Sequence, residues 1–288
     1  IDHCLEVGVE DFAINTHHLP DAWENLDEPW GPTGTPEPDP LPDPDPEFAA
    51  YQAASSVTYR IALVHEPELL ETGGGIRNIA EWIDGDPLIV YNGDILTDLP
   101  LERLLAAHRA SGNVATLALR SRGPQLHIAL DGERVTDISN RLGTAGGTHQ
   151  FTGIYCIEPE LLEHIPPGRK VSVIPAFLEL VRAGRLGGCV LDEGYWLDLG
   201  TREAYLAAHH PGSPLAEDSD AIDSHARIDP SAEVEDSVVG PGCVVGAGAV
   251  VRNSVLWPCT EVAPGADLDR CIVYSREPAA GRHRDADL

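Results

Sequence analysis

A chain of 288 residues, 42% hydrophobic and 23% charged, can build one large core and a smaller second unit. Its formal charge of −28, with Lys170 as the only lysine, makes nucleic acid a poor partner. No apolar run reaches membrane-span length and nothing at the start resembles a signal peptide, so a cytoplasmic protein with no membrane partner is expected.

In chain order, residues 1–5 read as the interior of an amphipathic helix, and methionine is absent throughout. An N-terminally truncated sequence is therefore expected. A strand follows at 12–15. Residues 28–47 are a run of Pro, Asp and Gly; proline removes donors and fixes φ, which predicts an exposed, extended insertion. Strand-like runs recur at 57–64, 88–91, 114–119, 126–130, 134–138, 153–157 and 189–191. Helical patterns at 76–83, 101–110, 174–183 and 202–209 lie between several of them. This alternation predicts an α/β domain over residues 1–212 with a mostly parallel sheet. Asp131 and Gly132, between two back-to-back runs, predict a hairpin.

Past residue 212 the period changes. Ile222, Ile228, Val234, Val239, Val245 and Val251 recur at six-residue steps, except for a five-residue step into Val239, and Trp257 and Ala263 continue the frame weakly. Such a period predicts a parallel β-helix over 221–275, each triangular coil taking three hexads, with one tightened corner. It carries no cluster of acid–base groups and is expected to be structural. Residues 276–288 read as a polar, disordered tail. The six cysteines (Cys4, Cys156, Cys189, Cys243, Cys259 and Cys271) contain no C-x-x-C pair and read as free thiols.

Four short segments carry the chemistry. Glu71-Thr72-Gly73-Gly74-Gly75 reads as a turn between strand and helix, where backbone N–H groups can approach a nucleotide. Tyr91-Asn92-Gly93-Asp94 follows an apolar strand, with Asp98 as the expected cap of the next helix, which leaves Asp94 free. In Tyr195-Trp196-Leu197-Asp198-Leu199-Gly200-Thr201 a second carboxylate precedes a helix that Thr201 would cap. Phe151-Thr152-Gly153-Ile154 puts a glycine at a strand start, where a sugar ring could pack on bare backbone. Each segment alone is an ordinary turn. Their joint order favours chemistry, because two carboxylates meeting near a phosphate-binding turn suit a Mg²⁺–nucleotide complex.

Together these segments resemble the sugar-1-phosphate nucleotidyltransferases, in the flavour of mannose-1-phosphate guanylyltransferases and N-acetylmuramate-1-phosphate uridylyltransferases. Asn15-Thr16-His17-His18 and Glu66-Pro67 match further family segments, and residues 221–274 resemble the appended left-handed β-helix. The resemblance implies a Rossmann-like, mostly parallel mixed sheet followed by that β-helix. It implies transfer of a nucleotidyl group from GTP or UTP to a sugar 1-phosphate, with Mg²⁺ as cofactor and pyrophosphate released. Asp94 and Asp198 would be the catalytic, metal-holding pair; Thr72, Gly73, Gly74, Asn92 and Gly93 the nucleotide contacts; and Glu71, Arg141, Gly153 and Lys170 the sugar-phosphate contacts. A homo-oligomer through the β-helix is implied as well. Arg141 stands in for a family lysine that has no counterpart here. The family's opening strand, Gly-rich loop and Pro-Lys-Pro segment are missing too, so this chain alone is expected to bind nucleotide weakly and turn over little. The competing readings are a non-catalytic, sugar-nucleotide-binding regulatory paralogue and a hexapeptide-repeat acyltransferase; for the latter, His225 has no catalytic setting.

Overall fold

A computed structural model describes residues 1–17, 59–83, 85–144, 146–210, 213–214, 221–275 and 277–288. The insertion expected at 28–47, His18 and residues 57–58 lie outside them. Among the described residues ten strands precede the β-helix: β1 (Asp11–Thr16), β2 (Arg60–His65), β3 (Leu88–Tyr91), β4 (Ile95–Thr97), β5 (Ala115–Arg120), β6 (Ile128–Asp131), β7 (Arg134–Ile138), β8 (Gln150–Ile157), β9 (Leu186–Val190) and β10 (Trp196–Asp198). The described chain divides into two compact units, one of Ile1–Asn92 with Leu99–Glu193 and the other of Gly93–Asp98 with Gly194–Leu288. The second unit takes in the short pair β4 and β10 together with the β-helix. No described helix is long and apolar enough to cross a membrane.

The first unit is a mixed α/β layer. β1 and β2 pair in parallel, and six further strands form a sheet in the order β3-β8-β5-β9-β7-β6. Within that sheet β5 and β9 are parallel and the other neighbours antiparallel. β5 is buried along its whole length, as a near-continuous apolar run in a sheet interior should be. Two glycines in β9 make room for what surrounds them: a Cβ on Gly188 would lie 2.5 Å from Leu119 Cδ1 and 2.8 Å from Leu130 Cδ1. The Ile174–Ala183 helix buries Ala176, Phe177, Leu178 and Leu180, and Phe177 meets Tyr155 edge-on at 5.3 Å. Gly184, at φ +67°, ends that helix in the left-handed conformation that glycine adopts at least cost. The hairpin of β6 and β7 turns through Asp131 and Gly132 as expected.

β8 pairs with β5 across an irregularity between Leu117 and Leu119, and Gly153, at φ +82°, lies opposite it. Glycine adopts the positive φ found at this irregularity at little cost. Gly153 therefore sits inside a strand and not at its start. The Leu101–Ser111 helix begins at Pro100 with no side-chain cap, so Asp98 does not play the capping role expected of it.

In the second unit, β4 and β10 form an antiparallel pair and lead into the Arg202–Ala208 helix, capped by the Thr201 hydroxyl as expected. The β-helix follows. Its inward residues are Val239, Val245, Val251, Leu256, Val262, Leu268, Val273 and Ala279, all buried. Trp257 and Ala263 thus lie one place off the frame, because the five-residue step recurs every coil. Val238 pairs with Val255 and Val255 with Ile272, steps of 17 residues. The shortened corner turns through left-handed residues at Asp236, Asn253, Arg270 and Asp285. Beside it, Ser237 Oγ accepts from Ser254 N, and Ser254 Oγ from Cys271 N. The expectation of a disordered tail fails. Arg282–Arg284 pairs with Asp267–Asp269, Ala279 bridges Val262 and Asp287 bridges Ile272, adding a coil paired to the one before it.

Candidate active site

In the second unit, β10 runs antiparallel to β4 with Asp198 opposite Ile95, and Leu199 N donates to Asp94 O at 2.7 Å. Asp94 is thus diagonal to Asp198. Strand alternation alone would send the two side chains to opposite faces. The turn that follows reverses this. Gly200 N donates to Asp198 Oδ1 at 3.0 Å and folds that carboxylate back. A Cβ on Gly200 would lie 2.7 Å from Asp94 Oδ2 and 3.1 Å from Asp198 Oδ1. Both carboxylates therefore converge on the space that this glycine leaves bare, and both residues are exposed to solvent. The far end of the pair is tied by Thr97 Oγ1 donating to Tyr195 O at 2.5 Å and by Tyr195 N donating to Asp98 Oδ1 at 2.7 Å.

Two exposed carboxylates converging from different strands are hard oxygen donors, and the donor set fits Mg²⁺, which is bound through one or two carboxylates and keeps water or phosphate oxygens on its remaining positions. Among the described residues no group of three or more His, Cys, Asp or Glu side chains is arranged to hold a metal ion. The pair would supply part of a coordination shell and leave the rest to a phosphate-bearing ligand.

In the first unit, Glu71-Thr72-Gly73-Gly74-Gly75 is not a turn before a helix but the start of the Glu71–Asn78 helix itself, entered through Glu71 at φ +60°. The glycines serve backbone-on-backbone packing. A Cβ on Gly73 would lie 2.8 Å from Val171 O, and one on Gly74 would lie 2.6 Å from Arg169 O. Gly74 N donates to Val171 O, Val171 N to Leu70 O, and Val173 N to the Thr72 hydroxyl. The Cα faces of Gly73 and Gly74 are closed by the 169–172 segment, while Glu71 and Thr72 stay exposed. The same pairing carries the exposed Lys170 alongside this helix start.

Glu66 is buried behind that helix. Its carboxylate accepts from Asn15 Nδ2 at 2.6 Å and from Leu70 N at 3.0 Å, and its carbonyl accepts from His17 Nδ1 at 2.7 Å. Asn92 N donates to Gly153 O at 3.1 Å, so these two predicted contacts are neighbours where the end of β3 meets the interior of β8. Gly93 follows in the chain and belongs to the second unit. Arg141 is exposed in the loop after β7, whose conformation is set by a residue that sequence inspection passed over. Asp137 is fully buried and accepts from Ile138 N, Leu142 N, Thr144 N and the Thr144 hydroxyl at 2.7 to 3.0 Å. Burial alone would raise its pKa; the amides of Leu142, Thr144 and Ile138 and that hydroxyl outweigh it and hold the carboxyl down at about 2. In sequence Asp137 is one polar residue in a short strand, with nothing to mark it. Gly200 could have been found from its place two residues after Asp198.

Residues 43–211, more than half of the chain, match the family described as "Nucleotidyl transferase", and residues 215–277 match the "GlmU-like, C-terminal hexapeptide" family. The mannose-1-phosphate guanylyltransferase of Mycobacterium tuberculosis is 28% identical over 78% of this chain and 63% of its own length. A UTP–glucose-1-phosphate uridylyltransferase of Synechocystis is 31% identical over 48% of this chain and 39% of its own. The N-acetylmuramate alpha-1-phosphate uridylyltransferase of Neisseria meningitidis is 28% identical over 50% of this chain and 64% of its own. The chain thus spans less than two thirds of each of these relatives. A solved structure of UTP-bound UGPase from Acinetobacter baumannii superposes with a TM-score of 0.52 at 14% identity, covering 75% of this chain and 83% of that one, a likeness of fold.

Proposed function

Since the chain belongs to the nucleotidyl transferase family, we propose that it joins a sugar 1-phosphate to a nucleoside triphosphate, GTP or UTP, giving a nucleoside-diphosphate sugar and pyrophosphate. The observation that carries this reading is the convergence of Asp94 and Asp198 on Gly200. An oxygen of the sugar phosphate attacks the α-phosphorus in line, a new phosphoanhydride bond forms, and the bond to the β-phosphate breaks. Such transfers need positioning and charge neutralisation more than a covalent nucleophile. When bound, Mg²⁺ would supply positive charge against the phosphate oxygens. Asp94 and Asp198 would hold it, the Gly200 amide keeps the Asp198 carboxylate turned toward the space beside Gly200, and the bare glycine would leave room for it. Glu71, Thr72, Asn92, Gly93 and Gly153 are the residues we assign to substrate contact, with Lys170 and Arg141 as the cations for the sugar phosphate. Since the Cα faces of Gly73 and Gly74 are covered, any contact these two make with the nucleotide uses backbone edges.

The test is pyrophosphate release by the protein as its gene encodes it, assayed with GTP and UTP against a panel of sugar 1-phosphates. Asp94→Asn and Asp198→Asn should each lower turnover roughly a hundredfold or more, and chelation should abolish it until Mg²⁺ is restored. Either variant turning over like the wild type would refute the assignment.

The free state of all six cysteines supports a cytoplasmic setting. We also assign the β-helix to homo-oligomer formation, supported by the exposed Ile222 and Tyr274 on it. Light scattering of Tyr274→Glu should show a smaller species; an unchanged mass rejects this interface.

A further inference from the structure

The Arg202–Ala208 helix starts four residues after Asp198 and has only seven residues, too few to hold its own conformation in water. What fixes it is the β-helix of the same unit. Leu206 packs with Val255 and Ile272, and the Tyr205 hydroxyl accepts from Trp257 Nε1 at 3.1 Å. Arg202 does more. Its side chain is only 18% exposed, and its guanidinium reaches two successive coils. Nε donates to Asp287 Oδ1 at 2.7 Å, Nη2 donates to Ala286 O at 3.2 Å and to Arg270 O, and Nη1 lies 3.9 Å from Asp285 Oδ1.

The acceptor at Arg270 is unusual. Equivalent corners of the other coils use Asp236, Asn253 and Asp285, short polar residues that tolerate positive φ, whereas Arg270 adopts φ +57° with a long side chain. Its own Nε donates to Asp285 Oδ1 at 2.6 Å, which braces the corner and leaves its carbonyl aimed at Arg202. Three of the five N–H donors of a rigid planar fork are thus satisfied by groups whose positions the coil sets. Leu199, Gly200 and Thr201 alone separate this anchor from Asp198, and they include the amide that orients the Asp198 carboxylate.

We propose that Arg202 is a positioning residue, through which the last coils of the β-helix set the geometry of the Asp94–Asp198 pair. The β-helix then belongs to the scaffold of the metal site, beyond the structural role expected of it. This rests on the reading of Asp94 and Asp198 as metal-holding residues.

The experiment uses Mn²⁺ as a spin-active stand-in for Mg²⁺, titrated into the whole protein and followed by electron paramagnetic resonance, with the site defined as the component lost in the Asp94→Asn/Asp198→Asn double variant. Hydrogen exchange over residues 195–201 is read in parallel. Arg202→Met should weaken that component roughly tenfold, as loss of a supporting outer partner does at metal sites, and should speed exchange of the Gly200 amide. Arg202→Lys keeps the charge but loses the fork, and should fall between. Arg284→Ala, which removes an exposed ion pair with Asp269 on the same coils, should leave both readouts unchanged. Should Arg202→Met fail to fold, Asp287→Asn probes the same bond from the other side and should give a smaller loosening of the same sign. A wild-type Mn²⁺ affinity and exchange pattern in folded Arg202→Met or Asp287→Asn, with the double variant still losing the component, would overturn the positioning role alone. A double variant that binds Mn²⁺ like the wild type would overturn the metal assignment and this inference with it.

Discussion

The two units bury polar groups in different ways. The α/β unit takes ionisable side chains inside: Glu66, Asp137, Arg120 and the imidazole of His108 are all buried there. Each is held by partners from distant parts of the chain or by a loop wrapped around it, as the 139–144 loop wraps Asp137. Among the described residues, the polar side chains other than thiols that the β-helix buries are the hydroxyls of Ser237, Ser254 and Thr260, each satisfied by a backbone or side-chain group of its own or a neighbouring coil. Its charges stay outside as a ladder in which Arg252 meets Glu233, Glu235 and Asp267, Arg282 meets Asp267, and Arg284 meets Asp269. A stack of coils repeats one local solution, whereas the α/β unit needs a separate long-range solution at each site.

The difference can be broken or sharpened by substitution. The largest effect is expected at Leu268, fully buried in the β-helix: Leu268→Ala should cost about 3 kcal/mol. That loss should fall on the β-helix alone, read from the chemical-denaturation midpoint by Trp257 fluorescence. An equal loss of hydrogen-exchange protection across β5 and β8 would mean that the units unfold as one.

Asp137→Asn should cost about 2 kcal/mol in the α/β unit, because an amide can accept at one oxygen only and brings donors against amide N–H groups. Its pH dependence has a definite sign. With the folded carboxyl at about 2, below its unfolded value, its stabilisation is complete at neutral pH and is lost as the pH falls from about 4 toward 2. Stability measured from pH 7 down to pH 2.5 should therefore fall less steeply in Asp137→Asn than in the wild type. Parallel slopes would show that this carboxylate does not drive the acid response. Acid should also open the α/β unit before the β-helix, as seen by hydrogen exchange.

Glycine substitutions separate the units at a finer scale. Gly74→Ala would force a Cβ against Arg169 O and Leu70 Cβ and should cost about 2 kcal/mol. Gly248→Ala in the β-helix meets nothing within 4 Å and suffers only the left-handed strain of φ +65°, about 1 kcal/mol. Thermal unfolding of the two variants should preserve that order; the reverse order would mean that the 169–172 segment yields to the added methyl group.

Much of the architecture was legible in the sequence. The runs at 88–91, 134–138 and 174–183 coincide with β3, β7 and a helix, because their apolar patterns suit only one element. The six-residue period identified the β-helix, although two mistaken positions, Trp257 and Ala263, came from treating a step that recurs every coil as a single exception. β4 and β10 escaped notice because three-residue strands carry no period.

The sequence by itself determined the order of the longer elements and the six-residue period of the β-helix, since these depend on residues near one another in the chain. Only the tertiary structure decided where those residues act. The glycines of residues 73–74 pack against the 169–172 segment about a hundred residues away, a contact that no local pattern encodes. Asp94 and Asp198, which strand alternation would set on opposite faces, meet because the turn at Gly200 folds one carboxylate back. The helix that follows this turn is seated by Arg202 on coils some seventy to eighty residues further along. Such placements are set by the joint packing of segments distant in sequence, whose closure entropy is offset only when the whole unit forms.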